Sequence, residues 1–204
     1  MKKLLVVLGV LVLMSGAAFA QGTYFVDYYS NNAPGFASPF VADQVIRIIN
    51  VGVGGTPLTS PVGDICANVY VFDNQQEMIT CCACRITPNE YASAAVHNQL
   101  ANLAITLTPV VPAFGVIKVA TTPAGTSCNA QNALTGASTD LAKMYGTHLQ
   151  VTGGATFVTE AEKQSSPLSA VEASFLPQAC AFVRYLGSGF GVCTCGREVG
   201  APPA

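Results

Sequence analysis

The chemically reactive residues of this 204-residue chain are mainly its eight cysteines: Cys66, Cys81, Cys82, Cys84, Cys128, Cys180, Cys193 and Cys195. An even number of cysteines in an exported chain predicts disulfides, here four of them. Clustered thiolates also suit zinc or an iron–sulfur centre. The C-x-x-C spacing is missing, however, and both histidines lie far from the cysteine groups in sequence. Disulfides are therefore favoured over a metal site, and over a redox role for the last two cysteines.

Strand geometry narrows the choice of disulfide partners. If residues 79–86 form a strand, Cys82 and Cys84 share one face and Cys81 points to the other. Cys193 and Cys195 share a face if residues 191–196 are extended. We therefore expect two cross-links between these segments, which leaves Cys66 with Cys81 and Cys128 with Cys180. Since eight cysteines allow about 105 connectivities, this pairing is a hypothesis.

Histidine catalysis has little support in the sequence. His97 and His148 are the two histidines, and neither belongs to an HExxH motif or another paired-ligand spacing. The chain also has no GxSxG motif for a serine nucleophile. A lone histidine in a β domain is more often a surface or satisfied core residue. We therefore assign no catalytic residue.

Carboxylate chemistry has two weak candidates, the pairs Glu160/Glu162 and Asp73/Glu77. Either pair could serve a glycosidase or bind calcium. The chain lacks an EF-hand loop, and it lacks tryptophan, whose broad ring stacks well on sugars. We predict no cofactor, keep calcium as an alternative, and regard an enzyme as the least supported class.

The N-terminus predicts export. Basic Lys2 and Lys3 precede an unbroken apolar run at 4–14 and a small-x-small ending at 18–20, which is the pattern of a signal peptide over residues 1–20. The remaining chain has seven basic and eleven acidic residues, a formal charge of −4. That charge excludes a nucleic-acid partner. No later apolar stretch is long enough for a transmembrane span, so we expect a secreted protein, extracellular or at the cell surface.

The elements that must position these residues are mostly strands. We expect an N-terminal strand and linker at 21–40, then one domain at 41–204. Its class is mainly β: an antiparallel, immunoglobulin-like β-sandwich with one C-terminal helix, stapled by disulfides. The expected strands are 23–29, 44–51, 66–73, 77–85, 115–120 and 155–160, with weaker candidates at 91–98 and 101–107 and an ambiguous segment at 141–151.

One segment, residues 169–186, predicts a helix. Ser169 and Glu172 form a capping box, and apolar residues then recur at helical spacing. Pro177 lies within this run and predicts a kink or a split into two pieces.

Three stretches resemble a family of uncharacterised, secreted, cysteine-rich proteins of environmental bacteria. They are CANVYVFDNQQEMITCCACRITPNE, GVIKVATTPAGTSCN and PLSAVEASFLPQACAFVRYLGSGFGVCTCG, within residues 66–196. The QEM…CCxC and GSGFGxCxC portions are the most specific. The resemblance implies an exported module stabilised by its cysteines, with no assigned reaction and an uninterrupted helix from which Pro177 departs.

An aromatic strand at the start of the exported chain suggests a role in assembly: Thr23, Tyr24, Phe25, Val26, Asp27, Tyr28 and Tyr29. Added to the sheet edge of the next subunit, such a strand would build a filament. We therefore predict self-association and an extracellular structural role. Two alternatives stay open: this strand pairs within its own domain, or the protein is a monomeric binding or adhesion module using loops 52–64 and 121–132.

Overall fold

The computed structural model describes residues 22–30, 44–53, 63–101, 112–152, 155–185 and 193. The predicted signal peptide and the linker at 31–40 lie outside these residues, as do Cys195 and residues 102–107 of one predicted strand. No helix in the described ranges is long and apolar enough to cross a membrane. The described elements are β1 (Thr23–Ser30), β2 (Val45–Asn50), β3 (Ile65–Asp73), β4 (Met78–Ile86), β5 (Tyr91–Ala95), a π-helical turn (Val96–Ala101), β6 (Phe114–Pro123), a 3-10 turn (Thr139–Leu141), β7 (Ala142–Thr152), β8 (Ala155–Glu162), β9 (Ser165–Pro167) and α1 (Ala170–Tyr185).

The strands form two sheets. The five-stranded sheet has the order β4-β3-β6-β1-β9, and the four-stranded sheet has the order β5-β2-β7-β8. Every described strand pairing is antiparallel. The predicted fold class, a mainly antiparallel β-sandwich with one helix and disulfides, is confirmed.

Strand β3 is buried on both faces, because the five-stranded sheet is covered on both sides. Val69 and Val71 belong to the apolar core that also contains residues of the four-stranded sheet. Tyr70 and Phe72 point the other way and pack in a second apolar cluster with Leu176 of α1. This second layer explains why β3 is apolar along most of its length, as expected for a strand covered on both sides.

Helix α1 closes the outer face of the five-stranded sheet. The Ser169 hydroxyl accepts a hydrogen bond from the Glu172 backbone amide at 3.1 Å, which confirms the serine half of the predicted capping box. The Glu172 carboxylate instead forms an ion pair with a lysine of β6. The helix is continuous through Pro177, so the predicted split into two pieces is wrong. Leu176 and Cys180 lie on either side of Pro177 and are fully buried, which holds both halves against the sheet.

The disulfides confirm part of the predicted pairing and correct the rest. Cys82 pairs with Cys193, as expected, and Cys84 is also disulfide-bonded. The pairs Cys66–Cys81 and Cys128–Cys180 are wrong: Cys66 bonds Cys128, and Cys81 bonds Cys180.

The reason for the wrong pairs is the register of the β3–β4 hairpin. Cys66 lies opposite Arg85, whereas Cys81 lies opposite Tyr70. The two cysteines are thus four residues apart along the ladder, about 13 Å at the usual rise per residue. A disulfide spans at most about 7 Å between Cα atoms. Cys81 instead faces α1, where Cys180 lies at a Cα–Cα distance of 5.7 Å.

The structure corrects one predicted strand, resolves one ambiguous segment and adds one strand that was not predicted. The weak strand candidate at 91–98 ends at Ala95 and continues as the π-helical turn. In this turn, the Gln99 Oε1 atom accepts a hydrogen bond from the Ala95 backbone amide at 2.6 Å. Such a local hydrogen bond competes with strand pairing. The ambiguous segment at 141–151 is strand β7, and the short strand β9 has no counterpart in the prediction.

Candidate functional site

The predicted N-terminal strand exists and lies inside the five-stranded sheet. β1 pairs with β6 on one side, from Phe25 opposite Val119 to Ser30 opposite Phe114. On its other side β9 pairs with residues 23–25 alone. Within one chain, therefore, β1 is an inner strand of its own sheet. Beyond Phe25, its outer edge has no neighbouring strand among those described and is hydrogen-bonded by side chains instead.

The inward face of β1 carries a carboxylate between two aromatic rings. Phe25, Asp27 and Tyr29 alternate along the strand and are all buried, whereas Tyr28 is 60% exposed. A charge on the core face of a strand is costly unless it is paired and hydrogen-bonded. The partners of Asp27 therefore define the most unusual polar site of the described chain.

Two side chains from the opposite sheet region reach the Asp27 carboxylate. Lys163 Nζ lies 3.0 Å from Asp27 Oδ1, and His148 Nε2 lies 3.1 Å from the same oxygen. Lys163 Nζ is also 2.6 Å from His148 Nε2. The side chain of Asp27 is 2% exposed, and those of Lys163 and His148 are each 12% exposed. We call these three residues, together with Gln44, the β1 clasp.

Gln44 connects the clasp to the backbone of β1. Its Oε1 accepts the Ser30 amide at 3.1 Å, and its Nε2 donates to the Tyr28 carbonyl at 2.9 Å. The amide side chain thereby takes the place of a neighbouring strand beyond the end of β9. Its Nε2 is also 3.0 Å from His148 Nδ1.

His148 contacts polar groups through both ring nitrogens. The Gln44 amide lies at Nδ1, and Asp27 Oδ1 and the Lys163 ammonium both lie at Nε2. Burial, followed by the repulsion of Lys163, lowers the pKa of His148, although Asp27 opposes that shift. The imidazole is stacked on Tyr28 with 4.4 Å between ring centroids.

Gly146 of β7 makes room for the clasp. A Cβ atom at this position would lie 2.1 Å from Asp27 Oδ2 and 2.6 Å from the Lys163 Cε atom. Any other residue would therefore force the carboxylate or the lysine to move. Asp27 Oδ2 itself is buried without a hydrogen-bond partner among the described residues.

The clasp is built to join strands. The Asp27 Oδ1 atom, the Gln44 amide and both nitrogens of His148 are all engaged in contacts between β1 and the segments around it. This arrangement was not predicted, since His148 was interpreted as a lone histidine and residues 141–151 as an ambiguous segment. The available signal was Asp27, the single charge in an aromatic strand.

The other predicted candidates have structural roles. Glu160 forms an ion pair with Arg47, and Glu162 forms one with Lys143. Asp73 Oδ1 accepts the backbone amides of residues 75 and 77, which fixes the turn of the β3–β4 hairpin. No group of three or more histidine, cysteine or acidic ligands occurs in the described part of the chain.

The two loops predicted for ligand binding do meet. A cavity of about 600 Å³ lies between Gly63 and Asp64 of the first loop and residues 123–126 of the second. Arg85 Nε donates to Asp64 Oδ2 at 2.7 Å beside it. The Asp64 side chain is 6% exposed and that of Arg85 is 39% exposed, so this ion pair presents mainly its cation to the cavity.

Comparison with known proteins assigns no family and no function to this chain. No family model matches the chain, and no curated protein matches it. Among solved structures, the chain is similar to the crystal structure of Thermotoga maritima 1070, with a TM-score of 0.40 and 11% sequence identity over 72% of this chain and 96% of that one.

Proposed function

We propose that this protein is an exported structural subunit whose copies join by exchange of β1 into a filament or surface assembly. The observation that carries the proposal is the setting of β1, an N-terminal strand inserted between β6 and β9 and held by the clasp. In an exchanged assembly, β1 of one copy fills the same place in the next. Because the copies are identical, each contact of the clasp is regained between chains.

The connection after β1 is long enough for this exchange. Thirteen residues, 31–43, separate Ser30 from Gln44. Fully extended, thirteen residues reach up to about 45 Å. Their composition, with Asn31-Asn32 and Pro34-Gly35, is typical of a linker. Head-to-tail exchange does not close on itself and generates a filament, whereas reciprocal exchange between two copies gives a dimer.

The cysteines support export. Disulfides form and persist in oxidising compartments such as the cell exterior. Three link distant parts of this fold, with sequence separations of 62, 99 and 111 residues, and the predicted signal peptide points to the same compartment. Neither a cofactor nor a catalytic step is needed for the proposed role.

The first test is electron microscopy of the oxidised protein beginning at Gln21, combined with a mass measurement over a range of concentrations. Filaments, or oligomers that disappear on deletion of residues 21–29, are the expected result. A protein that keeps monomer mass at every concentration with β1 intact would refute exchange.

A peptide test examines the clasp directly. A chain that lacks residues 21–30 should bind a synthetic peptide of residues 23–30, and an otherwise identical Asp27→Asn peptide should bind more weakly. The substitution keeps size and shape while it removes the charge that Lys163 needs. Equal binding of the two peptides would show that the clasp does not select β1.

The second candidate function is a monomeric binding or adhesion module, and the loop cavity favours it. The guanidinium of Arg85 beside a mostly apolar lining suits a small ligand with a carboxylate. Screening of carboxylic acids by thermal shift, with Arg85→Met as the control, tests this function. Stabilisation by acids that the variant does not share would favour the module, and no stabilisation by any acid would count against it.

A further inference from the structure

Among the described strands, β8 has an unpaired edge, and both of its faces are exposed over residues 157–162. It ends the four-stranded sheet and pairs only with β7 among the described strands. The side chains at residues 157–162 are all exposed. Since successive side chains of a strand point to opposite faces, neither face of this part of β8 is covered. Phe157 is 53% exposed and Val158 is 61% exposed, one on each face.

The usual electrostatic protection of an edge strand is cancelled here. Exposed edges are commonly guarded by charged side chains, lysine above all. Glu160 and Glu162 are each neutralised by a cation of the same sheet, Arg47 and Lys143. Lys163, which directly follows β8, turns inward to Asp27. The edge therefore presents apolar side chains and backbone groups with little net charge.

We propose that β8 is the docking site of a second copy of this chain, paired antiparallel through β8 of both copies. This pairing joins the two four-stranded sheets into one sheet of eight strands. The interface is isologous and closes as a two-fold dimer. It is a contact separate from the exchange of β1, and it does not depend on that exchange.

The order of charges along β8 selects a second copy in this orientation. The acids occupy the C-terminal end, whereas residues 155–159 are uncharged. Two-fold antiparallel pairing places one residue opposite its own copy, and we place Val158 at that centre. Glu160 then lies opposite Thr156 of the second copy, and Glu162 lies beyond Ala155, the first residue of β8. Neither glutamate thus faces another acidic residue. Parallel, in-register pairing would place glutamate on glutamate, which is destabilising.

The test is the mass of the oxidised protein, beginning at Gln21, measured by analytical ultracentrifugation across micromolar concentrations. Val158→Lys should weaken dimerisation at least tenfold, because it places a charge at the centre of the pairing. Val171→Lys is the matched control: the same substitution at a 78% exposed valine of α1. An equal effect of the two variants, or none, would overturn the proposal.

Hydrogen exchange of the unmodified protein gives a readout that does not depend on whether a variant folds. Backbone amides of β8 should become more protected as concentration rises, while those of edge strand β4 should not. Exchange at β8 that is independent of concentration would overturn the proposal. Loss of dimers in Val158→Lys, with longer β1-dependent assemblies retained, would support β8 pairing and separate it from strand exchange.

Discussion

The pairing of Asp27 with Lys163 should contribute more to stability than any exposed ion pair of this protein. The two atoms are 3.0 Å apart, and the side chains are 2% and 12% exposed. Coulomb's law with an effective dielectric constant of about 20 gives a gross attraction of roughly 5 kcal/mol. Desolvation of both groups offsets much of that. Removing one partner, however, leaves the other charge buried, which typically costs about 3–5 kcal/mol.

We therefore expect Asp27→Asn to lower the free energy of unfolding by about 3 kcal/mol, because Lys163 keeps its charge without a carboxylate. Lys163→Met should cost less, since the Asp27 carboxylate retains the backbone amide of Tyr28 and its contact with His148 Nε2. The double variant strands no charge, so its loss should be smaller than the sum of the single losses. The expected coupling energy is about 2 kcal/mol.

Urea unfolding of the oxidised protein measures all four members of this cycle. The control is the equivalent cycle for Arg47 and Glu160, whose side chains are 39% and 44% exposed. Exposed pairs contribute about 0–1 kcal/mol, so that cycle should give a coupling energy well below the first. Equal coupling in the two cycles, or a loss below about 1 kcal/mol for Asp27→Asn, would refute the reasoning.

Three further predictions concern single groups. The folded state holds the pKa of His148 below its ordinary value of about 6.5, so the unfolded chain takes the proton first as the pH falls. The free energy of unfolding, measured with urea, should therefore fall as the pH drops below about 6.5. His148→Gln should flatten that part of the pH profile. Tyr70→Phe should lower the free energy of unfolding by about 1 kcal/mol, because it removes a 2.8 Å hydrogen bond to a loop carbonyl. Tyr29→Phe should be nearly neutral, because the buried Tyr29 hydroxyl has no hydrogen-bond partner among the described residues. Thermal unfolding compares the two variants, and an equal loss of stability would contradict this prediction. Replacement of Cys81 and Cys180 by alanine should lower stability by up to about 4–5 kcal/mol for a 99-residue loop and should release α1 to limited proteolysis, and an unchanged cleavage pattern would argue against a fastening role.

Local patterns in the sequence were sufficient to identify most strands and the helix. Residue types along 66–73 and 77–85 predicted the two strands that form β3 and β4, and the capping pair at Ser169 and Glu172 predicted the start of α1. The shared face of Cys82 and Cys84 followed from strand period alone. Each of these features depends on residues close together in the chain, where spacing translates directly into geometry.

The clasp could not be predicted in the same way, because its parts come from distant segments. Asp27, Gln44, His148 and Lys163 meet only when the order of strands in both sheets is known. The aromatic residues of β1 occur at both odd and even positions, so no alternation marked its inward face. The disulfide partner of Cys66 was missed for the same reason, since Cys128 is 62 residues away in a loop.

A buried charged cluster is a poor way to gain stability, yet a good way to select a strand. Apolar residues in place of a buried ion pair often give equal or greater stability. A foreign strand that entered between β6 and β9 with an apolar residue at the position of Asp27 would leave the Lys163 ammonium buried without its carboxylate. That penalty discriminates against wrong strands, because specificity is a difference between two affinities. If β1 is exchanged between copies, the clasp admits the protein's own strand and rejects others, which is the property that a self-assembling exported subunit needs among unrelated chains.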